Sequence, residues 1–221
     1  MDDQELSDLH SGIIRYYSDR VQRFGDTPLG VDWTCVASQE LRFVQLMKLC
    51  NFSTQFSLND VGCGYGALVA YLIRRHPDAD IDYLGIDLAQ AMVRRAKRLW
   101  QAHPWTAFST ANDHYRPADY CVASGIFNVK QDQPGHSWER YIALTLDKMH
   151  AASRKGFAVN FMLGKSQPLD NSDNEALYRT RPETWIRHCE KEYGASVTLV
   201  EGYGQQEFTL LARTTYSNLQ N

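Results

Sequence analysis

Two acids and a run of alternating glycines are the residues of this chain whose types and spacing could do chemistry. The segment Leu58-Asn59-Asp60-Val61-Gly62-Cys63-Gly64-Tyr65-Gly66-Ala67-Leu68 sets an acid two residues before the first glycine. Glycine lets a backbone turn tightly and approach a ligand closely. A helix that starts behind such a loop offers unpaired N–H groups and the positive end of its dipole. The loop can therefore hold a phosphate, a carboxylate or the edge of a nucleoside. Gly62-x-Gly64-x-x-Ala67 satisfies the loose dinucleotide fingerprint, which accepts alanine at its third place. Asp60 argues the other way, since a carboxylate there repels a pyrophosphate and attracts an ammonium group. A second acid, Asp87, closes the run Ile81-Asp82-Tyr83-Leu84-Gly85-Ile86-Asp87, where a carboxylate can accept both hydroxyls of a ribose. Asp87 is also placed to cap the helix that follows, and the two roles are compatible.

These residues need a scaffold, and the hydrophobic pattern describes one. Residues 3–51 read as helical, with Leu41, Val44, Leu46 and Leu49 at helical spacing and a cluster of turn residues at 24–30. From residue 55 onward short apolar runs alternate with amphipathic ones. Strands are predicted at 56–61, 81–86, 105–109, 120–124 and 157–163. Helices are predicted at 67–75, 90–102, 138–152 and 182–193, and Pro77 and Pro104 stop the first two. The chain closes differently, with strands at 196–200 and 207–212 joined by Glu201-Gly202-Tyr203-Gly204 and no room for a helix, which predicts an antiparallel hairpin. The expectation is an α/β fold: a seven-stranded, mostly parallel sheet with helices on both faces and a C-terminal hairpin. It forms one domain over residues 1–221, with a helical cap at 1–52 and a ligand-binding core at 53–221.

The stretch Asp60-Val61-Gly62-Cys63-Gly64-Tyr65-Gly66 resembles the first motif of the class I, Rossmann-like S-adenosylmethionine-dependent methyltransferases. The stretch from Tyr83 to Asp87, followed by Leu88-Ala89-Gln90-Ala91-Met92, resembles their second motif. The order of elements matches as well, and the resemblance covers about residues 56–213. It implies S-adenosylmethionine as cofactor, with S-adenosylhomocysteine as product. Asp60, Gly62, Cys63, Gly64 and Gly66 would hold the methionine part, Asp87 the ribose, and Leu88 and Met92 the adenine surroundings. An acid or amide after the third strand would meet the adenine amino group, and Asn112 and Asp113 are the candidates. Ser124 and Gly125, at the end of the fourth strand, would line the cofactor, while Phe127 and Asn128 would look toward the substrate.

Composition sets the outer bounds. The 221 residues are 43% hydrophobic and 22% charged, which suits an ordinary core. The net charge of -3 gives no bulk attraction to polyanions, so nucleic acid is not the expected partner. Arg94, Arg95, Lys97 and Arg98 crowd one helix, and the plain reading is a solvated face. The five cysteines (Cys35, Cys50, Cys63, Cys121 and Cys189) include no CxxC pair, and neither a metal site nor a disulfide framework is expected. The polar, acidic start is unlike a secretory signal, and no apolar run approaches the ~18 residues a membrane span needs. The cytoplasm is the expected location, and the oligomeric state is not legible.

Methyl transfer asks the protein mainly to align a nucleophile and exclude water, so no fixed catalytic motif is expected. The Asn/Asp-Pro-Pro-Tyr/Phe signature of methyltransferases acting on base or glutamine amino groups is replaced by Ser124-Gly125-Ile126-Phe127-Asn128. Tyr16, Tyr17 and Trp33 could cap a pocket, although such aromatics more often serve packing. The loops at 131–136 and 164–181 could border it, and His136 is the candidate base, against the common solvated histidine. The leading expectation is methylation of an oxygen or nitrogen of a small molecule such as a metabolite, glycan precursor or natural product. Methylation of tRNA or protein, a nicotinamide-dependent oxidoreductase and a non-catalytic cofactor binder are the alternatives.

Overall fold

Seven strands of the computed structural model run in the order β3-β2-β1-β4-β5-β8-β7, and a two-residue strand, β6, pairs with the end of β5. The structure describes residues 2–110, 115–164 and 176–215. The strands are β1 (Phe56–Val61), β2 (Ile81–Asp87), β3 (Thr106–Thr110), β4 (Ala118–Ala123), β5 (Ser153–Leu163), β6 (Arg179–Thr180), β7 (Ser196–Val200) and β8 (Glu207–Arg213). The first five are parallel, and β8 lies antiparallel between β5 and β7. The expected sheet and closing hairpin are present, with β6 as a small addition.

Central strands of a parallel sheet are covered on both faces and so read as continuous apolar runs. β1 and β4 are covered in this way, each buried at every position but one, although β1 carries Ser57, Asn59 and Asp60 among its apolar residues. On one face lie α2 (Val36–Leu46), α3 (Ala67–Arg75) and α4 (Gln90–Leu99). On the other lie α5 (Gly135–Ala152) and α6 (Pro182–Tyr193). α4 buries Met92, Val93 and Ala96 and turns Arg94, Lys97 and Arg98 outward as expected, whereas Arg95 is half-buried and pairs with Asp26 at 2.6 Å. It ends three residues before the predicted 102, because Trp100 leaves the helix to donate its ring N–H to the Tyr65 carbonyl at 3.0 Å. β5 starts four residues earlier than predicted, directly after α5.

The N-terminal segment is not one helix but several pieces. α1 (Asp3–Phe24) opens on a capping box between Asp2 and Glu5 and closes at Gly25. Short 3-10 turns at Pro28–Val31 and Met47–Leu49 flank α2. Only residues 111–117 separate β3 from β4, fewer than the dozen or so a parallel crossover normally uses for its helix. α1 covers the same face as α5: Leu9 sits in the α5–α6 core and His10 meets the Tyr141 ring edge-on at 5.8 Å. Further along, Val21 packs with Ala89 and Met92 of the other layer. α1 thus bridges the two helix layers across the carboxyl ends of the strands. Among the described residues no helix is long and apolar enough to cross a membrane.

Candidate active site

The glycine loop takes its shape from its backbone. Gly62, Gly64 and Gly66 all have positive φ, at 73°, 55° and 82°. At Gly62 a side chain is excluded twice over: the conformation is left-handed, and an added Cβ would stand 2.1 Å from Ile126 Cγ2. The N–H groups of Gly62 and Cys63 both donate to the Ile86 carbonyl, at 2.7 and 3.0 Å, and so tie the loop to β2. Gly64 N–H donates to Asp87 Oδ2 at 2.9 Å, and Ala89 N–H donates to Asp87 Oδ1 at 2.8 Å. The two acids singled out in the sequence therefore flank one loop.

Burial raises the Asp60 carboxyl to about 7; the Tyr83 hydroxyl, which donates to Oδ2 at 2.6 Å, opposes the rise, and Asp87 adds to it. Burial raises Asp87 to about 6, against the two backbone N–H groups it accepts. A carboxylate kept costly to ionise by its surroundings gains most from a cationic or hydroxyl-bearing ligand. Burial and both acids push the Cys63 thiol well up, so it lines the loop as a neutral group.

Beside these acids lies a cleft with about 1080 Å³ of open space, part of it continuous with solvent. Its floor is the carboxyl ends of three strands: Asp60 and Val61 of β1, Ile86 and Asp87 of β2, and Ser124 and Gly125 after β4. Open α/β sheets bind ligands at this edge. The roof comes from the N-terminal segment, with Tyr17 on α1, Trp33 on the loop before α2, and Gln39 and Phe43 on α2. The Trp33 loop is anchored by Asp32, which accepts from Tyr16 at 2.7 Å and pairs with Arg20 at 2.6 Å. The Trp33 ring lies so close to Gly125 that a Cβ there would stand 2.1 Å from Cζ2.

Of the residues singled out in the sequence, Asp60, Gly62, Cys63, Gly64, Asp87 and Leu88 meet in this cleft, as do Met92, Ser124, Gly125, Tyr17 and Trp33. Others lie elsewhere. Gly66 starts α3 and faces Trp100. Tyr16 is committed to Asp32. Phe127 points into the core rather than toward a substrate: it is 1% exposed, its ring stacks on Phe161 at 5.3 Å, and its carbonyl accepts from the Trp138 ring N–H. Asn128 is buried beside Glu207. His136 is exposed in the first turn of α5 and does not line the cleft. Asn112, Asp113 and residues 165–175 of the 164–181 loop lie outside the described residues. Sequence reasoning placed Tyr17 at the cleft but missed the rest of a second wall, built from Leu6, His10 and Ile13 beside Tyr17 on α1 and from Tyr141 and Thr145 on α5. The spacing of 4, 3 and 4 along α1 is one helix face and was the available signal.

S-adenosylmethionine fits what the cleft offers. The Ser124 hydroxyl is buried without a hydrogen-bond partner and lines the cleft, so it awaits a polar ligand atom. The two acids suit an ammonium group and a ribose, and the glycine backbone leaves room for close approach.

The comparisons agree with this geometry. A family model described as a methyltransferase domain matches residues 59–133. A protein of Mycobacterium tuberculosis (strain ATCC 25618 / H37Rv) named as a methyltransferase, Rv1506c, is 41% identical over 167 residues, which are 76% of this chain and 98% of that one. Magnesium protoporphyrin IX methyltransferase from Synechocystis PCC 6803, solved with S-adenosylhomocysteine, superimposes with a TM-score of 0.67 at 15% identity, over 93% of this chain and 99% of that one. Human N-acetylserotonin methyltransferase with S-adenosylmethionine gives a TM-score of 0.61 at 18% identity, over 93% of this chain and 59% of that one. Fold and cleft define a Rossmann-like methyltransferase. The chain belongs to the class I S-adenosylmethionine-dependent methyltransferases, and S-adenosylmethionine is its cofactor.

Proposed function

We propose that this enzyme methylates an oxygen or nitrogen atom of a small molecule, within a single domain and in the cytoplasm. The observation that carries the reading is the roof: α1, the Trp33 loop and α2 fold over the strand ends, and a cleft so covered suits a compact acceptor. Structural neighbours named for a porphyrin and for N-acetylserotonin support it.

The cofactor supplies a methyl group on a sulfonium, which is a strong electrophile with a good leaving group. The chain supplies placement. Asp60 and the Gly62–Gly64 backbone are set to hold the methionine part, with Asp60 at its ammonium group, and Asp87 the ribose. Ser124 and Gly125 form the wall at the end of β4. Trp33 and Phe43 keep water from the reacting atoms.

The test is incubation of the enzyme with methyl-labelled S-adenosylmethionine and, separately, a low-molecular-mass metabolite fraction, tRNA and whole protein. Label in the first fraction is expected; label in tRNA or protein alone would overturn the reading. Asp87→Ala, which should abolish S-adenosylhomocysteine binding in calorimetry, is the control for transfer at this site.

A further inference from the structure

Arg42 on α2 and Glu207 at the start of β8 form an ion pair that is almost fully enclosed, at 5% and 4% exposure. Arg42 Nε donates to Glu207 Oε2 and Nη2 to Oε1, both at 2.6 Å. Set against an apolar pair of similar size, such a pair adds little stability, but it holds a fixed geometry. Two limbs run from it to the cleft. In one, the Arg42 guanidinium stacks on the Trp33 ring at 3.7 Å, and that ring lies against Gly125. In the other, Asn160 of β5 donates from Nδ2 to Glu207 Oε2 at 3.1 Å and accepts the Gly125 N–H on Oδ1 at 2.8 Å.

We propose that Glu207 is a positioning residue for the methyl-bearing end of the cofactor, holding the Gly125 backbone through Asn160 and the Trp33 ring through Arg42. The proposal rests on the reading that the cofactor lies along the ends of β1, β2 and β4, with its methyl toward Gly125.

The direction of the hydrogen bonds is what gives Glu207 this role. A carboxylate only accepts, so Asn160 must turn its NH2 toward it, and its oxygen is thereby left for Gly125. In Glu207→Gln the side chain would have one accepting oxygen. Arg42 donates to both carboxylate oxygens, so either orientation of the new amide sets its NH2 against one Arg42 N–H. With the NH2 on the Oε1 side it faces Asn128, whose buried Oδ1 is otherwise unpaired among the described residues, and the remaining oxygen still accepts from Asn160, so E207Q loosens the Arg42 limb and leaves the Gly125 limb. Asn160→Ala does the reverse: it keeps the ion pair and the net charge and removes the acceptor of the Gly125 N–H.

The experiment measures affinities of the full chain for S-adenosylmethionine and S-adenosylhomocysteine by calorimetry, together with its melting temperature without ligand. The two ligands differ by the methyl group and the positive charge it gives the sulfur, so their affinity ratio reports on the methyl end and a general loss of stability does not move it; because E207Q also removes a charge, the charge-neutral N160A is the reference variant. N160A should change that ratio about tenfold, as expected for one hydrogen bond, and E207Q should change it in the same sense through the Arg42–Trp33 limb, with the double variant changed more than either. N160A carries the test if E207Q fails to fold. A ratio unchanged in N160A, or in a folded E207Q, with both ligands weakened alike, would overturn the proposal and leave Glu207 a structural residue. If the natural chain binds both ligands and Asp87→Ala still binds them, the cofactor placement itself is wrong, and the proposal falls with it.

Discussion

Replacing Asp60 with asparagine should stabilise the ligand-free protein at pH 8 while weakening its grip on the cofactor. Asp60 is 3% exposed, and its carboxyl is raised to about 7. That is about three pH units above a free aspartate, and each unit is worth about 1.4 kcal/mol, so ionised Asp60 costs the fold about 4 kcal/mol at high pH. Asparagine keeps an acceptor for the Tyr83 hydroxyl but brings an amide NH2 to a site built for an acceptor, at about 1–3 kcal/mol. The net gain is about 2 kcal/mol, or about 4–8 °C in melting temperature for a chain of this size. The sign with pH is fixed by the raised value. Between about 4 and 7 the folded protein holds a proton that the unfolded chain has released, so the natural protein loses stability as pH rises through that window. The advantage of Asp60→Asn should therefore be present at pH 8 and absent or reversed at pH 5.5. Thermal melts of both proteins at the two pH values make the measurement, and calorimetry should show S-adenosylhomocysteine affinity down about 10- to 100-fold in the variant. An equal melting difference at both pH values would refute the reasoning, because an uncharged Asp60 cannot account for it.

In the natural protein the affinity for S-adenosylhomocysteine should rise between pH 6 and 8, because ligand-free Asp87 and Asp60 ionise near about 6 and about 7 and their charged forms bind; a flat calorimetric profile would contradict this. Gly62→Ala should lose about 2 kcal/mol or more from the left-handed backbone and the Ile126 overlap, seen as a melting point at least about 4 °C lower and no measurable cofactor binding. Arg42→Met should destabilise by about 3–5 kcal/mol in denaturant titration by leaving Glu207 buried and unpaired, with much of the loss recovered in the Arg42→Met/Glu207→Gln double variant. Gly125→Ala should push the Trp33 ring off the cleft and weaken S-adenosylmethionine binding, and the smaller Trp33→Ala side chain should relieve that clash in the double variant.

Local pattern was enough for the elements and for the acid-and-glycine loop. Alternating apolar and amphipathic runs located β1, α3 and α6 to the residue, since each is bounded by a turn or helix-end signal: Gly62, Pro77 and Pro182. Asp60, Gly62, Gly64 and Asp87 were legible because their chemistry lies within single short segments, at strand ends that any parallel sheet gathers on one edge. The helical runs of the N-terminal segment could be read as a cap carrying Tyr17 and Trp33, but not which helix face turns to the cleft, because a stripe such as Leu6, His10, Ile13 and Tyr17 reads the same whether it covers a core or a cleft. Phe127 shows the same limit from the other side: its place after β4 suggested the cleft, and stacking on Phe161 took it into the core. Arg42 and Glu207 stand 165 residues apart, and in the sequence each is an ordinary surface charge. Their pairing depends on β8 folding back between β5 and β7 and on α2 packing against it. The sequence by itself determined the fold class, the cofactor loop and its two acids through short-range spacing. The tertiary structure alone decided which faces of α1 and α5 wall the cleft and which buried charges hold it, because those contacts join residues that local pattern does not connect.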